Sequence, residues 1–150
     1  MAEQKLLIIM RKDLFDMNPG KGMAQACHAQ ADFTHTITGN ESLLTDWTTE
    51  SMSVDSQFYK SEYAAWSAQA GTFGTTVVKH ATLDDINTLR SRLVGEFVPN
   101  GLVVDPTYPY KNYYGDWFTS EEITCSWFFI NSATCDALRE EISEVGELHP

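Results

Sequence analysis

Lys21, Gln25 and His28 stand at i, i+4 and i+7 in the stretch NPGKGMAQACHAQ. At about 100° of turn per residue they share one stripe of a helix. Asn18 followed by Pro19 is a helix start, with Asn as the cap and Pro at the first helical position. Lys21 then falls in the first turn, where free backbone N–H groups and the helix dipole favour an anion. Gln25 carries a side chain that both donates and accepts, suited to an amide or a ribose. His28 is most simply a polar contact. Ala24 and Ala31 flank the stripe and leave room for a large ligand. Gly20 and Gly22 are costly inside a helix, so their presence suggests close approach by another group. A solvated face on an ordinary surface helix would also hold a lone Lys, Gln or His. The capped start, paired glycines, aligned row and small neighbours together favour a site. The stretch is not a phosphate-binding P-loop, since it lacks the four-residue gap between glycines and the Ser/Thr after the lysine.

A second concentration of chemistry is the aromatic segment PTYPYKNYYGDWF. Tyr108, Tyr110, Tyr113, Tyr114, Trp117 and Phe118 surround Lys111. Aromatic rings beside a cation can stack the bases of a single-stranded nucleic-acid end. The same rings could instead pack on their own domain, or on a second copy of the chain as a homodimer.

Other chemistries fit poorly. Cys27 and His28 are adjacent and cannot share one helix face as a nucleophile pair. The four histidines and three cysteines show no zinc spacing, so no metal site is expected. The odd cysteine count without paired spacing points to a reducing cytoplasm and no disulfide framework. The net charge of −11 argues against general nucleic-acid binding. The acid is concentrated: residues 32–72 hold six acids against one base, and residues 112–150 eight against one. A local basic site elsewhere is compatible with that balance. No apolar run approaches the length of a membrane span. The opening MAEQKLLIIMRKD reads as a strand and not as a signal peptide.

The elements that must position these groups follow from hydrophobic spacing. Residues 5–11 form an apolar run of strand length, and the capped helix runs from Pro19 to about residue 36, ending near Gly39-Asn40. Residues 42–70 are polar but helical in two pieces, anchored by Leu43, Leu44 and Trp47, then by Tyr59, Tyr63 and Trp66. Residues 75–80 form a strand. Thr82 with Asp85 resembles a cap for a helix carrying Leu83, Ile86, Leu89, Leu93, Val94 and Phe97. Residues 102–105 are a short buried strand, 106–122 an aromatic loop, 123–130 the last strand, and 132–145 a closing helix. The expected order is β-α-α-β-α-β-β-α: an α/β fold in three layers, with a four-stranded mixed sheet covered by helices, in one domain over 1–150.

Arg11-Lys12-Asp13-Leu14, then Met17, then Gly20-Lys21-x-x-Ala24-Gln25-x-x-His28-Ala29 closely resembles the opening of the archaeal and eukaryotic type of peptidyl-tRNA hydrolase. GTTVVKH resembles that family's second strand, LVVD its strand ending in Asp, here Asp105, and ITCSWFF its final strand opened by Thr, here Thr124. The family usually follows its Asp with Ala-Gly-x-Thr. Here Asp105-Pro106-Thr107-Tyr108-Pro109 stands instead, and the loop to Thr124 is longer.

The resemblance implies an esterase that frees a peptide from the 3′-terminal ribose of tRNA with an activated water, needing no metal or cofactor. It implies catalytic roles for Lys21, Asp105 and Thr124. Lys21 would hold a phosphate or stabilise an oxyanion, Asp105 orient water or act as base, and Thr124 bond substrate or water. Capping or ion pairing at a strand end is an equal alternative for Asp105, and plain β propensity for Thr124. Gln25, His28, Thr107, Tyr110 and Lys111 are the candidate substrate-binding residues. The competing expectation is a binding module on the same scaffold that holds a nucleotide, a tRNA end or a protein without turnover.

Overall fold

The computed structural model describes residues 3–15, 17–39, 56–111 and 113–148. The first strand, β1 (Lys5–Arg11), lies at the centre of an open sheet and is apolar on both faces. Leu6, Ile8 and Met10 face one layer of helices; Leu7 and Ile9 face the other. A strand covered on both sides must read as a continuous apolar run, and KLLIIMR does.

On the first face lie α1 (Pro19–Thr38) and α2 (Ser56–Ser67). The Asn18 side chain accepts the Lys21 N–H at 2.9 Å, and Gly39 ends α1 in the left-handed conformation at φ 80°. Ala29, Phe33 and Ile37, spaced by four, are the buried stripe of α1. Phe33 sits among the rings of Tyr63, Trp66, Trp127 and Phe129 at 5.0–5.5 Å between centroids. Tyr59 and Trp66 of α2 are buried as their spacing predicts, and Tyr63 is half-buried. The expected piece around Leu43, Leu44 and Trp47 lies outside the described residues.

A short turn at Ala70–Thr72 leads into β2 (Thr76–Ala81), parallel to β1. On the opposite face, α3 (Leu83–Arg92) begins at Thr82, whose hydroxyl accepts the Asp85 N–H at 3.1 Å. α3 stops short of the expected end at Phe97. The chain turns at Gly95 with φ 81°, and Val94 and Phe97 are exposed instead of buried. Asp13 accepts the Leu83 N–H at 3.2 Å and Arg11 donates to the Ile123 carbonyl at 3.1 Å. The Arg-Lys-Asp-Leu motif thus ties the end of β1 to the start of α3 and to the neighbouring strand.

β3 (Asn100–Lys111) and β4 (Trp117–Ile130) are far longer than the short strands expected at 102–105 and 123–130. The supposed aromatic loop at 106–122 is in fact the two arms of a hairpin, with Tyr110 opposite Phe118 and Lys111 opposite Trp117. Prolines and tyrosines suggested a loop. β3 is an edge strand, however, where Pro is tolerated, and cross-strand aromatics favour pairing. Irregularities between Val103 and Val104 and between Asp105 and Tyr108 absorb the mismatch, the second one around Pro106.

The closing helix α4 (Asp136–Ser143) buries Leu138 and Ile142 beside α3 on the second face. A strand with no sequence pattern, β5 (Glu147–Leu148), then pairs antiparallel with β2. Among the described residues the sheet therefore has five strands and not the four expected, in the order β3-β4-β1-β2-β5, and the last described element is a strand. It is mixed as expected: β1 and β2 are parallel and the other pairs antiparallel.

Candidate active site

The row on α1 explains itself once the sheet is in place. Lys21 and Gln25 continue the buried line of Ala29, Phe33 and Ile37 by further steps of four. They extend it past the apolar core to the middle of β3 and β4, where Asp105 and Thr124 replace apolar side chains. Gln25 is only 2 % exposed, so its amide must be satisfied internally. Its Nε2 donates to Asp105 Oδ2 at 2.8 Å, and its Oε1 accepts the Thr124 hydroxyl at 2.7 Å. The carboxylate can only accept, which fixes the amide orientation and leaves Thr124 as the donor. Three groups from α1, β3 and β4 form one chain of hydrogen bonds.

Asp105 is further held by the Thr107 backbone N–H at 2.9 Å and more weakly by its hydroxyl at 3.4 Å. Burial pushes the Asp105 carboxyl up, but the Gln25 amide, the two Thr107 donors and the attraction of His28 outweigh it. The net effect holds it below the usual carboxylate range, so it is ionised at neutral pH.

A pocket of about 430 Å³ opens beside Asp105, walled by His28, Asp32, Val104 and Thr107 among others. Asp32 escaped the sequence reading, although it continues the row at i+4 from His28. Its Oδ2 accepts the indole N–H of buried Trp127 at 2.6 Å. Burial pushes the Asp32 carboxyl up, against the Trp127 hydrogen bond and the attraction of His35. The two carboxyls of the pocket are therefore displaced in opposite directions. A Cβ at Gly101 would lie 2.8 Å from Trp127 Nε1 and 3.0 Å from Asp32 Oδ2, so this contact needs a glycine there.

Lys21 is not among the described residues walling the pocket. Its Nζ lies 5.2 Å from the centroid of the Tyr108 ring and 5.5 Å from that of Trp117. Tyr108 is fully buried, while Trp117 is exposed. Tyr110 is half-buried against Phe118 at 4.0 Å and Phe15 at 5.9 Å. Lys111 is exposed, its Nζ 4.9 Å from the Trp117 ring centroid. The structure thus brings Gln25, Asp105, Thr107 and Thr124 into direct contact and sets His28 on the same pocket. It brings Lys21 and Lys111 to the Trp117 ring near the hairpin tip, and packs Tyr110 between Phe118 and Phe15. Thr124 is fully buried, so it reaches a ligand only through Gln25.

Cys125 lies under this network, its Sγ 3.5 Å from the Gln25 carbonyl, and burial pushes its thiol up to about 12. It is not a nucleophile at neutral pH. Among the described residues no three His, Cys, Asp or Glu side chains are grouped to hold a metal ion. Nor is any described helix long and apolar enough to cross a membrane.

An open mixed sheet between helices, with an ionised carboxylate at a strand bulge facing a capped helix, defines an α/β protein with a candidate acid–base site. The chain belongs to the peptidyl-tRNA hydrolase family: the family model described as Peptidyl-tRNA hydrolase PTH2 matches residues 4–109, well over half its length. Comparison with curated proteins gives no match. The matched span includes Lys21, Gln25, His28, Asp105 and Thr107; Tyr110, Lys111 and Thr124 lie beyond it.

Proposed function

We propose that the chain hydrolyses the ester between a peptide, or an N-blocked aminoacyl group, and the 3′-terminal ribose of tRNA. The observation that carries this is the Asp105 carboxylate at the wall of an open pocket, accepting from Thr107 and from Gln25, which stands one turn along α1 from Lys21. Asp105 orients a water and takes its proton as the oxygen attacks the ester carbonyl. The negative charge that develops on the carbonyl oxygen is stabilised by the Lys21 ammonium and the field at the start of α1. When the tetrahedral intermediate collapses, the proton returns from Asp105 to the departing ribose oxygen. A carboxyl with a lowered pKa gives that proton up readily. Thr124 acts as a positioning residue, since its hydroxyl fixes the Gln25 amide that fixes Asp105. His28 and Thr107 line the space for the aminoacyl end, and Tyr110 and Lys111 stand on the side from which the tRNA arrives.

The sequence after Asp105 supports a second reading. Both donors of Thr107 are turned back onto Asp105, which suits a module that binds without turnover. Purified chain incubated with peptidyl-tRNA separates the two. Release of peptide that falls at least a hundredfold in Lys21→Ala and in Asp105→Asn, with folding intact, is expected of the enzyme. Retention of tRNA with no release by the wild type is expected of the module.

A further inference from the structure

The arms of β3 and β4 carry a tip whose rings face solvent: Tyr113 is 96 % exposed, Tyr114 85 % and Trp117 63 %. The tip lies beyond residue 109, where the family match ends. Large exposed rings in one patch mark an interaction surface. What kind of partner fits is decided by charge. The chain as a whole is strongly acidic, at −11. Yet two ammonium groups converge on this patch: Lys111 Nζ lies 4.9 Å and Lys21 Nζ 5.5 Å from the Trp117 ring centroid. Lys111 comes from β3 and Lys21 from the first turn of α1, so the patch abuts the candidate active site. A broad basic stripe of the kind that grips duplex phosphates is not what two lysines on an acidic chain provide. Rings with a few cations suit a short single strand, whose bases stack on any π face and whose phosphates meet the ammoniums.

We propose that this hairpin tip is a stacking platform for the unpaired 3′ nucleotides of tRNA. Bases stack on Tyr113, Tyr114 and the exposed part of Trp117. Lys111 meets the intervening phosphate. The strand is thereby led past Lys21 toward Asp105. The identity of the strand rests on the hydrolase reading; the stacking itself does not.

The test is binding of a labelled single-stranded RNA tetranucleotide, ACCA, to the full chain, followed by fluorescence anisotropy. The probe contains no ester, so the result is separate from turnover. The wild type is expected to bind, and to bind an abasic counterpart roughly tenfold less tightly or worse. Tyr113→Ala, Tyr114→Ala and Trp117→Ala are each expected to lose roughly tenfold in affinity, whereas Trp117→Phe keeps most of it. These side chains are exposed, so unchanged circular dichroism is expected of each variant. The proposal is overturned if the wild type does not bind the tetranucleotide, if the abasic probe binds equally well, or if Trp117→Phe loses as much as Trp117→Ala. It is also overturned if sedimentation shows that the alanine variants convert a dimer to a monomer while RNA affinity stays unchanged. Peptide release by a wild type whose ring variants bind RNA normally removes the platform alone. RNA binding that follows the rings in a chain that releases no peptide removes the hydrolase alone.

Discussion

Gln25 Nε2 stands 2.8 Å from Asp105 Oδ2, joining the first helix to a strand 80 positions further along the chain. The same amide receives the Thr124 hydroxyl at 2.7 Å. A single buried side chain therefore couples three elements and, with Thr107 and His28, holds the carboxyl of the proposed water-binding residue below its usual range.

Replacing Gln25 tests that coupling. Gln25→Ala leaves the buried Thr124 hydroxyl without its acceptor and is expected to cost about 1–3 kcal/mol of stability, read by urea unfolding. Gln25→Glu places a second carboxylate against Asp105. Like charges raise the pKa of one of the pair, so the acid side of the pH–rate profile should move upward relative to the wild type.

Asp105 itself should define where activity fails in acid. Its pKa is lowered from the model-peptide value of 3.8, so the ionised form persists to low pH. Peptide release should be level through neutral pH and decline only as pH falls below about 4, because protonation of this carboxyl removes the base. An acid limb centred near pH 6 would assign the essential group elsewhere. Asp105→Asn should lower the rate by roughly 10²–10⁴ at every pH.

Asp32 carries the opposite sign. Its folded-state pKa is raised from 3.8 by burial, so holding it ionised at neutral pH disfavours the native state. Asp32→Asn keeps an oxygen for the Trp127 indole without the charge. The variant should melt at a temperature equal to or above that of the wild type at pH 7. The gap should close as pH falls through the raised pKa and the wild-type carboxyl becomes neutral. A variant that melts well below wild type at pH 7 would mean the charge contributes more than its burial costs.

Gly101→Ala probes the packing behind the pocket. The added Cβ would meet Trp127 Nε1 at 2.8 Å and Asp32 Oδ2 at 3.0 Å, closer than such atoms normally come. Overpacking of this kind costs about 1–3 kcal/mol. For a chain of this size that corresponds to a fall in melting temperature of several degrees, at about 2–4 °C per kcal/mol.

The sequence by itself determined the elements whose pattern is local. The run Leu6 to Met10 has the length and apolar continuity of a strand, and Asn18-Pro19 with Gly39 bounds α1 through cap chemistry that needs no tertiary partner. The row Lys21, Gln25, His28 was legible because helical periodicity alone aligns it. Asp32 stands at i+4 from His28, but nothing local marks it, because its value as a site residue depends on Trp127, which arrives from β4. The hairpin arms at 106–111 and 117–122 have the composition of a loop, with prolines, polar residues and turn formers; pairing with one another makes them strands. β5 has two residues and no pattern, so only its partner β2 defines it. What the tertiary structure alone decided is the use of the polar row. Its amide is spent inside the protein on Asp105 and Thr124, because a buried donor and acceptor must be paired, and those partners come together only when the sheet forms.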